Sequence, residues 1–420
     1  MFCPRVMAAL VPWQGTGVVM ECPSPARRCL WLGPLTSRQA INDLPAISPA
    51  AVEWERGFLQ ALTAGGFQVE AVSHRAEPLW PRGRLQPGSA PVPADVICAT
   101  HLVGYLNAPL IRARSLSSVY VQAVADFVPV LQPDFLATFN LLPWHLAAAR
   151  AARARWGVPW LSFLLDDVSD DPELTYYAKA SKVAAGHVVV SAAAAARLQV
   201  LLPDAAILHL DGGIESYREA AKTDDCKSRP SVVYCGSHSD EAGMTMLVDA
   251  IPLVTTKDVS FVITGNRGFH AGLRALAARD PRVELVGFVP SVTLDAICGR
   301  ASVFVNPRPP NHALNIASFP SKLMRYLAFG KPIASMWTPG LAEEYRPLLV
   351  VAEDGSARSL AAAIDKAIAL DAAAREGFAQ AAKAFMVPGR LWSTQAARFA
   401  RFVDAALDAR VHSRLESGAA

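Results

Sequence analysis

The sequence predicts a doubly wound α/β protein of two Rossmann-like domains. Three observations point there. Short apolar runs of strand character alternate with amphipathic helical stretches from about residue 29 onward. The alternation breaks once, over the polar and unpatterned residues 216–230, and then restarts. The length of 420 residues suits two or three domains at about 100–200 residues each. Strands alternating with helices assemble into parallel sheets covered on both faces.

The elements follow in order. Residues 1–28 read as an irregular leader, because the apolar stretch 6–13 is short and Pro12 interrupts it. It suits neither a membrane span nor a cleaved signal. The first domain, residues 29–215, opens with a strand at 29–32 closed by Gly33-Pro34. Ser48 caps a helix at 51–64 with Pro49 in its first turn, and Gly65-Gly66 stops it. Strands are expected at 67–72, 94–99 and 135–139, with a Pro-, Gly- and Arg-rich loop at 76–93. A helix at 144–156, a strand at 159–165, a strand at 188–191 and a helix at 192–202 complete it.

Residues 216–230 read as a linker. The second domain, residues 231–390, has strands expected at 231–235, 259–264, 283–285, 303–306, 332–335 and 348–351. Helices are expected at 242–254, 273–279, 294–300, 321–329 and 359–369. In the C-terminal segment 391–420, a helix at about 392–409 carries Phe399, Phe402, Val403 and Leu407 on one stripe.

Composition narrows the function. Hydrophobic residues are 52 % and charged residues 18 %, which excludes a disordered chain. Lys plus Arg is 40 and Asp plus Glu is 37, a net charge of +3, so no global grip on nucleic acid is expected. The seven cysteines are odd in number and widely spaced, with no C-x-x-C pair. That argues against a disulfide framework or zinc site and for a reducing, cytoplasmic compartment. The Arg- and Trp-rich segment 79–84 is a point for peripheral attachment at the inner face of a membrane.

Ligands of doubly wound sheets lie beyond the carboxyl ends of the strands, so residues just after strands carry the chemistry. The densest cluster is Asn306-Pro307-Arg308, Ser318-Phe319-Pro320-Ser321-Lys322 and Gly330-Lys331-Pro332. A helix starting near Ser321 would offer free amides to an anion, with Arg308 and Lys322 adding positive donors. That set can hold a diphosphate and stabilise it as a leaving group. The bland alternative is a capped helix with two surface cations. Gly236-Ser237 and Gly265-Asn266 follow strands and are candidate phosphate loops, or ordinary strand-to-helix turns. Asp166 and Asp167 follow a buried strand and are candidates for a general base, or for Asx-turns capping the next helix. The run Asp166-Asp167-Val-Ser-Asp170 also fits D-D-x-x-D, but that magnesium motif needs an all-helical fold. His101 is a third catalytic candidate at a strand end, and His74 a weaker one.

Residues 231–352 resemble the donor half of GT-B glycosyltransferases, particularly bacterial family-4-type enzymes of surface-polysaccharide assembly. The resemblance rests on Val233-Tyr-Cys-Gly-Ser237, Val262-Ile-Thr-Gly265, Val286-Gly-Phe-Val289, Val303-Phe-Val-Asn-Pro-Arg308, Phe319-Pro-Ser-Lys-Leu323 and Tyr326-Leu-Ala-Phe-Gly-Lys-Pro332. Ser48-Pro49, Phe139-Asn140 and Gly157-Val-Pro159 look like the acceptor half. The resemblance implies two Rossmann-like domains, a cleft between them and a C-terminal helix crossing back. It implies transfer of a sugar from a nucleotide-diphosphate sugar to a saccharide or lipid-linked acceptor, without a required metal. It places Phe319, Pro320, Ser321, Lys322 and Arg308 at the diphosphate, Val289 near the base, and Gly236 and Ser237 along the cleft; Asn306, Ser318, Gly265, Asn266 and Arg325 are further donor-binding candidates. One departure stands out. Two Glu separated by seven residues are common in such enzymes, and here those positions are Ala317 and Arg325. Arg325 could bind a second anionic group, such as a uronic acid carboxylate. A glucuronosyltransferase, a nucleotide-sugar epimerase and a non-catalytic binding protein therefore stand as alternatives, and retention versus inversion is open.

Overall fold

The computed structural model describes residues 26–36, 48–88, 97–165, 171–218, 229–265 and 268–418. Two parallel sheets form the framework. The first contains β1 (Arg28–Leu32), β2 (Gln68–Ser73), β3 (Ala99–Leu102), β4 (Phe135–Phe139), β5 (Trp160–Leu164), β6 (Gly186–Val189) and β7 (Ile207–His209). Their spatial order is β3-β2-β1-β4-β5-β6-β7. The second contains β8 (Ser231–Cys235), β9 (Ser260–Thr264), β10 (Val283–Gly287), β11 (Val303–Asn306), β12 (Ile333–Ser335) and β13 (Val350–Val351), in the order β10-β9-β8-β11-β12-β13. Each order reverses direction once, between β1 and β4 and between β8 and β11. Those reversals open a crevice at the carboxyl ends of the strands.

Both faces of the first sheet are covered, which is why its strands read as continuous apolar runs. On β1, Cys29 and Trp31 enter one core with Phe58, Phe135, Phe163 and Phe399. Leu30 and Leu32 enter the opposite core with Val72, Leu116, Tyr120 and Trp160. Helix α1 (Pro49–Ala64) starts where Ser48 Oγ accepts from the Ala51 amide, and Pro49 occupies its first turn. Helices α2 (Arg112–Leu131) and α3 (Pro143–Trp156) cover the other face.

The third strand is corrected: it spans Ala99–Leu102 rather than 94–99, of which 94–96 lie outside the described residues. Helix α2 has no clear helical signal in the sequence. Its buried Leu116, Tyr120, Ala123, Val124, Val128 and Leu131 keep helical spacing, but its valines and internal Pro129 mimic a strand-and-turn signal.

The remaining helices are α4 (Asp171–Ser181), α5 (Ala192–Leu201), α6 (Met244–Ala250), α7 (Ala271–Ala277), α8 (Ser291–Arg300), α9 (Lys322–Ala328), α10 (Ala357–Ile368), α11 (Ala372–Gly389) and α12 (Trp392–Gly418). Helix α12 lies against α1 of the first domain. Trp392 packs at 5.4 Å from Trp54, ring to ring, and Phe399 at 5.1 Å from Phe58. Gly57 leaves the space for this, since a Cβ there would lie 2.1 Å from Trp392 Nε1. Arg27 closes the far side with an ion pair to Asp404 at 2.6 Å.

The chain crosses between the sheets twice, and the crossings lie together. Ile214 pairs with Leu391 in a parallel bridge: its amide donates to Arg390 O at 2.9 Å, and the Trp392 amide donates to Ile214 O at 3.0 Å. Beside them, Arg390 Nε sits 2.9 Å from the buried Asp211 carboxylate. Arg390 also pairs with Glu344, and the Tyr345 hydroxyl donates to Asp211.

Candidate functional site

The direction reversal of the second sheet sets the site. Gly236 leaves β8 with φ +153°, and Gly265 leaves β9 with φ +118°. A Cβ on Gly265 would lie 2.4 Å from the Gly236 amide nitrogen, so the two turns stack backbone on backbone, which needs glycine. A Cβ on Gly236 would lie 3.2 Å from Lys322 Cε. The Gly236 turn and the Lys322 side chain are therefore direct neighbours.

Lys322 is the first residue of α9. That helix starts one residue later than expected and has only seven residues, so its dipole is small and the side-chain charges dominate. The Lys322 ammonium donates to the Tyr234 hydroxyl at 3.1 Å and lies over the Tyr234 ring at 4.5 Å. Burial, and after it the charge of Arg308, pushes its pKa down to about 7, although part of the residue meets solvent. Arg308 donates from Nη1 to Ser318 Oγ at 2.5 Å, and its Nε is buried without an acceptor. Among the described residues neither cation has a carboxylate partner. Two neighbouring cations without counter-ions, next to a glycine turn, form a receptor for a multiply charged oxyanion.

Buried amides hold the loop that carries these groups. Asn315 Nδ2 donates to Glu241 O and Pro309 O, each at 2.9 Å. Asn306, buried at the end of β11, donates to Ser335 Oγ at 2.9 Å. His238 Nδ1 bonds Gly268 O at 3.2 Å, and its Nε2 is buried without a partner. Burial lowers the His238 pKa and keeps the ring neutral. Across the crevice, Ser191 Oγ donates to Ala317 O, joining the end of β6 to the loop before α9. The start of α9 thus lies where the two sheets' carboxyl ends meet.

The other candidate residues are distributed as follows. Ser237 follows Gly236, and its hydroxyl donates to Ser239 Oγ at 3.0 Å. Pro320 O accepts from the Leu323 amide at 2.8 Å, and Ser321 O from the Met324 amide at 3.2 Å. Val289 is half-buried just before α8. The Phe319 side chain is corrected from a donor contact to a core residue: it is buried against Tyr345, with ring centroids 5.3 Å apart. Arg325 is corrected as well. Its Nη1 donates to Asp295 at 2.5 Å, and Arg218 shares the same carboxylate at 2.7 Å, so its charge is already paired. His101 lies inside the edge strand β3, 3.2 Å from Glu70 and tilted against Phe127 with ring centroids 4.0 Å apart. That strand ends three residues later than expected, which makes His101 its penultimate residue, with the ring held by Glu70 and Phe127. Asp166, Asp167 and Asn266 lie outside the described residues.

In the first domain the direction reversal holds titratable groups that the sequence did not reveal. Glu55 on α1 is fully buried, accepts from Trp31 Nε1 at 2.6 Å, and leaves Oε2 without a partner. Burial pushes its carboxyl up to about 8. Nearby, His74 Nδ1 bonds the Tyr120 hydroxyl at 2.9 Å, and burial lowers its pKa to about 3. His74 is thereby an uncharged core group among Tyr105, Tyr120 and Trp144. The Glu55 shift has a pH consequence. The unfolded carboxyl ionises from about pH 4.5 upward, whereas the folded one keeps its proton to about 8. Stability therefore falls as pH rises through that window, by at most about 1.4 kcal/mol per pH unit. Glu55→Gln keeps the acceptor for Trp31 and should remove that slope, so that the variant outlasts the parent in urea at pH 8 but not at pH 5. Parallel pH profiles would refute the assignment.

Residues 229–369 match the family model described as Glycosyl transferases group 1. The matched span runs from β8 through α10 of the second domain. Solved structures match over nearly the whole chain. Sucrose-phosphate synthase from Thermosynechococcus elongatus is 17 % identical with a TM-score of 0.66, over 91 % of this chain and 100 % of that one. Anabaena Alr3699/HepE, solved in complex with UDP-glucose, is 14 % identical with a TM-score of 0.62, over 90 % and 99 %. A UDP-forming trehalose-phosphate synthase from Burkholderia vietnamiensis is 11 % identical with a TM-score of 0.68, over 91 % and 99 %. No curated protein matches the sequence. At these identities the likeness shows the fold. The group 1 domain and its partner sheet form a GT-B fold, with the Lys322–Arg308 pair in the group 1 half.

Proposed function

We propose that the chain is a glycosyltransferase that moves a hexosyl unit from a nucleoside-diphosphate sugar to an acceptor hydroxyl, in bacterial polysaccharide or glycoconjugate assembly. The observation that carries this is the Lys322–Arg308 pair, two adjacent cations beside the Gly236 turn that have no carboxylate partner among the described residues. As the bond from the sugar C1 to the diphosphate breaks, its electron pair leaves on the diphosphate oxygen. Lys322 and Arg308 stabilise that charge in place, as a divalent ion does in other transferases. The acceptor oxygen bonds to C1, and its proton passes to a base, a role this reading gives to Asp166 or Asp167. HepE, solved with UDP and with UDP-glucose, supports a uridine nucleotide as the donor carrier. The pairing of Arg325 with Asp295 weighs against a uronic acid donor held by that arginine.

A thermal-shift panel of nucleotide sugars tests the reading. A donor present at about 100 times its Kd stabilises by about 2.7 kcal/mol, which raises the midpoint by a few degrees. One or two nucleotide sugars should do so, and free sugars should not. A panel in which no nucleotide sugar moves the midpoint would overturn it.

A further inference from the structure

Fifteen large hydrophobic side chains are exposed among the described residues, and six of them fall between residues 79 and 111: Leu79, Trp80, Leu85, Leu106, Leu110 and Ile111. Leu110 is 97 % exposed. It also has φ +67°, a region that bulky residues avoid, so the backbone holds an apolar side chain in water at some cost.

These residues sit on two loops, one after β2 and one after β3, and hydrogen bonds fuse the loops into a single plate. The Trp80 amide donates to Asn107 O at 3.1 Å, and the Asn107 amide donates to Leu85 O at 2.8 Å. The buried Asn107 side chain donates to Pro78 O at 2.7 Å and to Arg84 O at 2.9 Å. The Tyr105 hydroxyl donates to Arg75 O at 2.9 Å, and the Leu106 amide to Ser115 Oγ at 2.8 Å. Collapse of the apolar tips onto the body would break this set. An exposed apolar patch on a rigid base marks a surface that meets something else.

The charges say what. Residues 75–88 and 97–118 contain five arginines and one carboxylate, Glu77. Glu77 is buried and already paired with Arg75 at 2.8 Å. Arg82 and Arg114 are exposed, and Arg84 is 68 % exposed despite a 3.8 Å approach to Glu77. A second copy of this chain would oppose arginine to arginine across such a face. Apolar tips and a tryptophan, ringed by arginines, match the interface of a bilayer with anionic headgroups. We propose that this plate docks the chain on an anionic lipid surface, with Trp80 and Leu110 entering the headgroup boundary and Arg82, Arg84 and Arg114 meeting the lipid charges. It lies at the carboxyl ends of β2 and β3, the end of the first sheet that faces the crevice, and would hold that crevice close to the membrane.

The test is flotation of the full chain with vesicles, which does not depend on the catalytic reading, so the two can fail separately. The chain should float with phosphatidylcholine vesicles containing about one-third phosphatidylglycerol, not with pure phosphatidylcholine, and less as salt rises. Leu110→Ser with Trp80→Ser, and separately Arg82→Gln with Arg114→Gln, should each weaken binding on the order of tenfold. Both pairs are exposed, so the thermal midpoint should not change. Equal flotation of the variants and the parent would overturn the proposal, as would a parent that never floats. A concentration-dependent dimer that Leu110→Ser disperses, without vesicle binding, would give the plate to a protein contact instead.

Discussion

Lys322→Ala should lower turnover about 10²-fold or more, the cost of removing one donor aimed at charge that develops in the transition state. The ammonium lies beside Gly236 and over Tyr234, with no carboxylate among the described residues to compensate it. Lys322→Arg should not rescue fully, because a planar guanidinium does not reproduce the compact ammonium held against Tyr234 and Gly236. The depressed pKa adds a sharper test. With a pKa near 7 the free side chain is partly neutral at neutral pH, and a bound diphosphate restores its charge. Donor binding should therefore take up protons and weaken as pH rises above about 7. Titration calorimetry in buffers of different ionisation enthalpy reads that uptake directly, and Lys322→Ala should abolish it. A variant with unchanged turnover would remove Lys322 from the chemistry.

The largest expected loss of stability is at the crossing. Arg390→Met leaves Asp211, 2 % exposed, without its cation. Removing one partner of a buried pair costs about 3–5 kcal/mol, chiefly through the charge left behind. Urea unfolding should show that loss. Changing Asp211 to Asn together with Arg390→Met should recover much of it, because no unpaired charge remains. Equal stabilities for all three chains would mean that the pair is solvated and idle.

The framework was legible because its signals are local. Strands such as Cys29-Leu-Trp-Leu and Val303-Phe-Val-Asn are apolar on both faces, and Gly or Pro punctuates their ends. The Lys322–Arg308 cluster was legible for the same reason, since each part follows a strand or opens a helix. What escaped the sequence depends on distant partners. Tyr234 under Lys322 is 88 residues away, and Ser191 at Ala317 is 126 residues away. Nothing in the neighbourhood of Tyr234 separates it from a core tyrosine. Phe319 and Arg325 were misread because spacing gives no side-chain direction: one turns into the core and the other finds Asp295. The end of β3 lies three residues beyond the expected one, because flanking residues fix a strand boundary poorly.

The side-by-side crossings at Ile214 and Leu391 restrict how the molecule can move. Two parallel tethers joined by hydrogen bonds act as a paired hinge pin: they permit rotation about one axis and resist sliding. Groups near the pin, such as Arg390, hardly travel during such a rotation. The Ser191–Ala317 contact has no tether of its own and must part first. Ligand entry would then be a swing that parts this hydrogen bond and the packing of Ala317 against Leu164, Tyr177 and Leu198 while the axle stays intact.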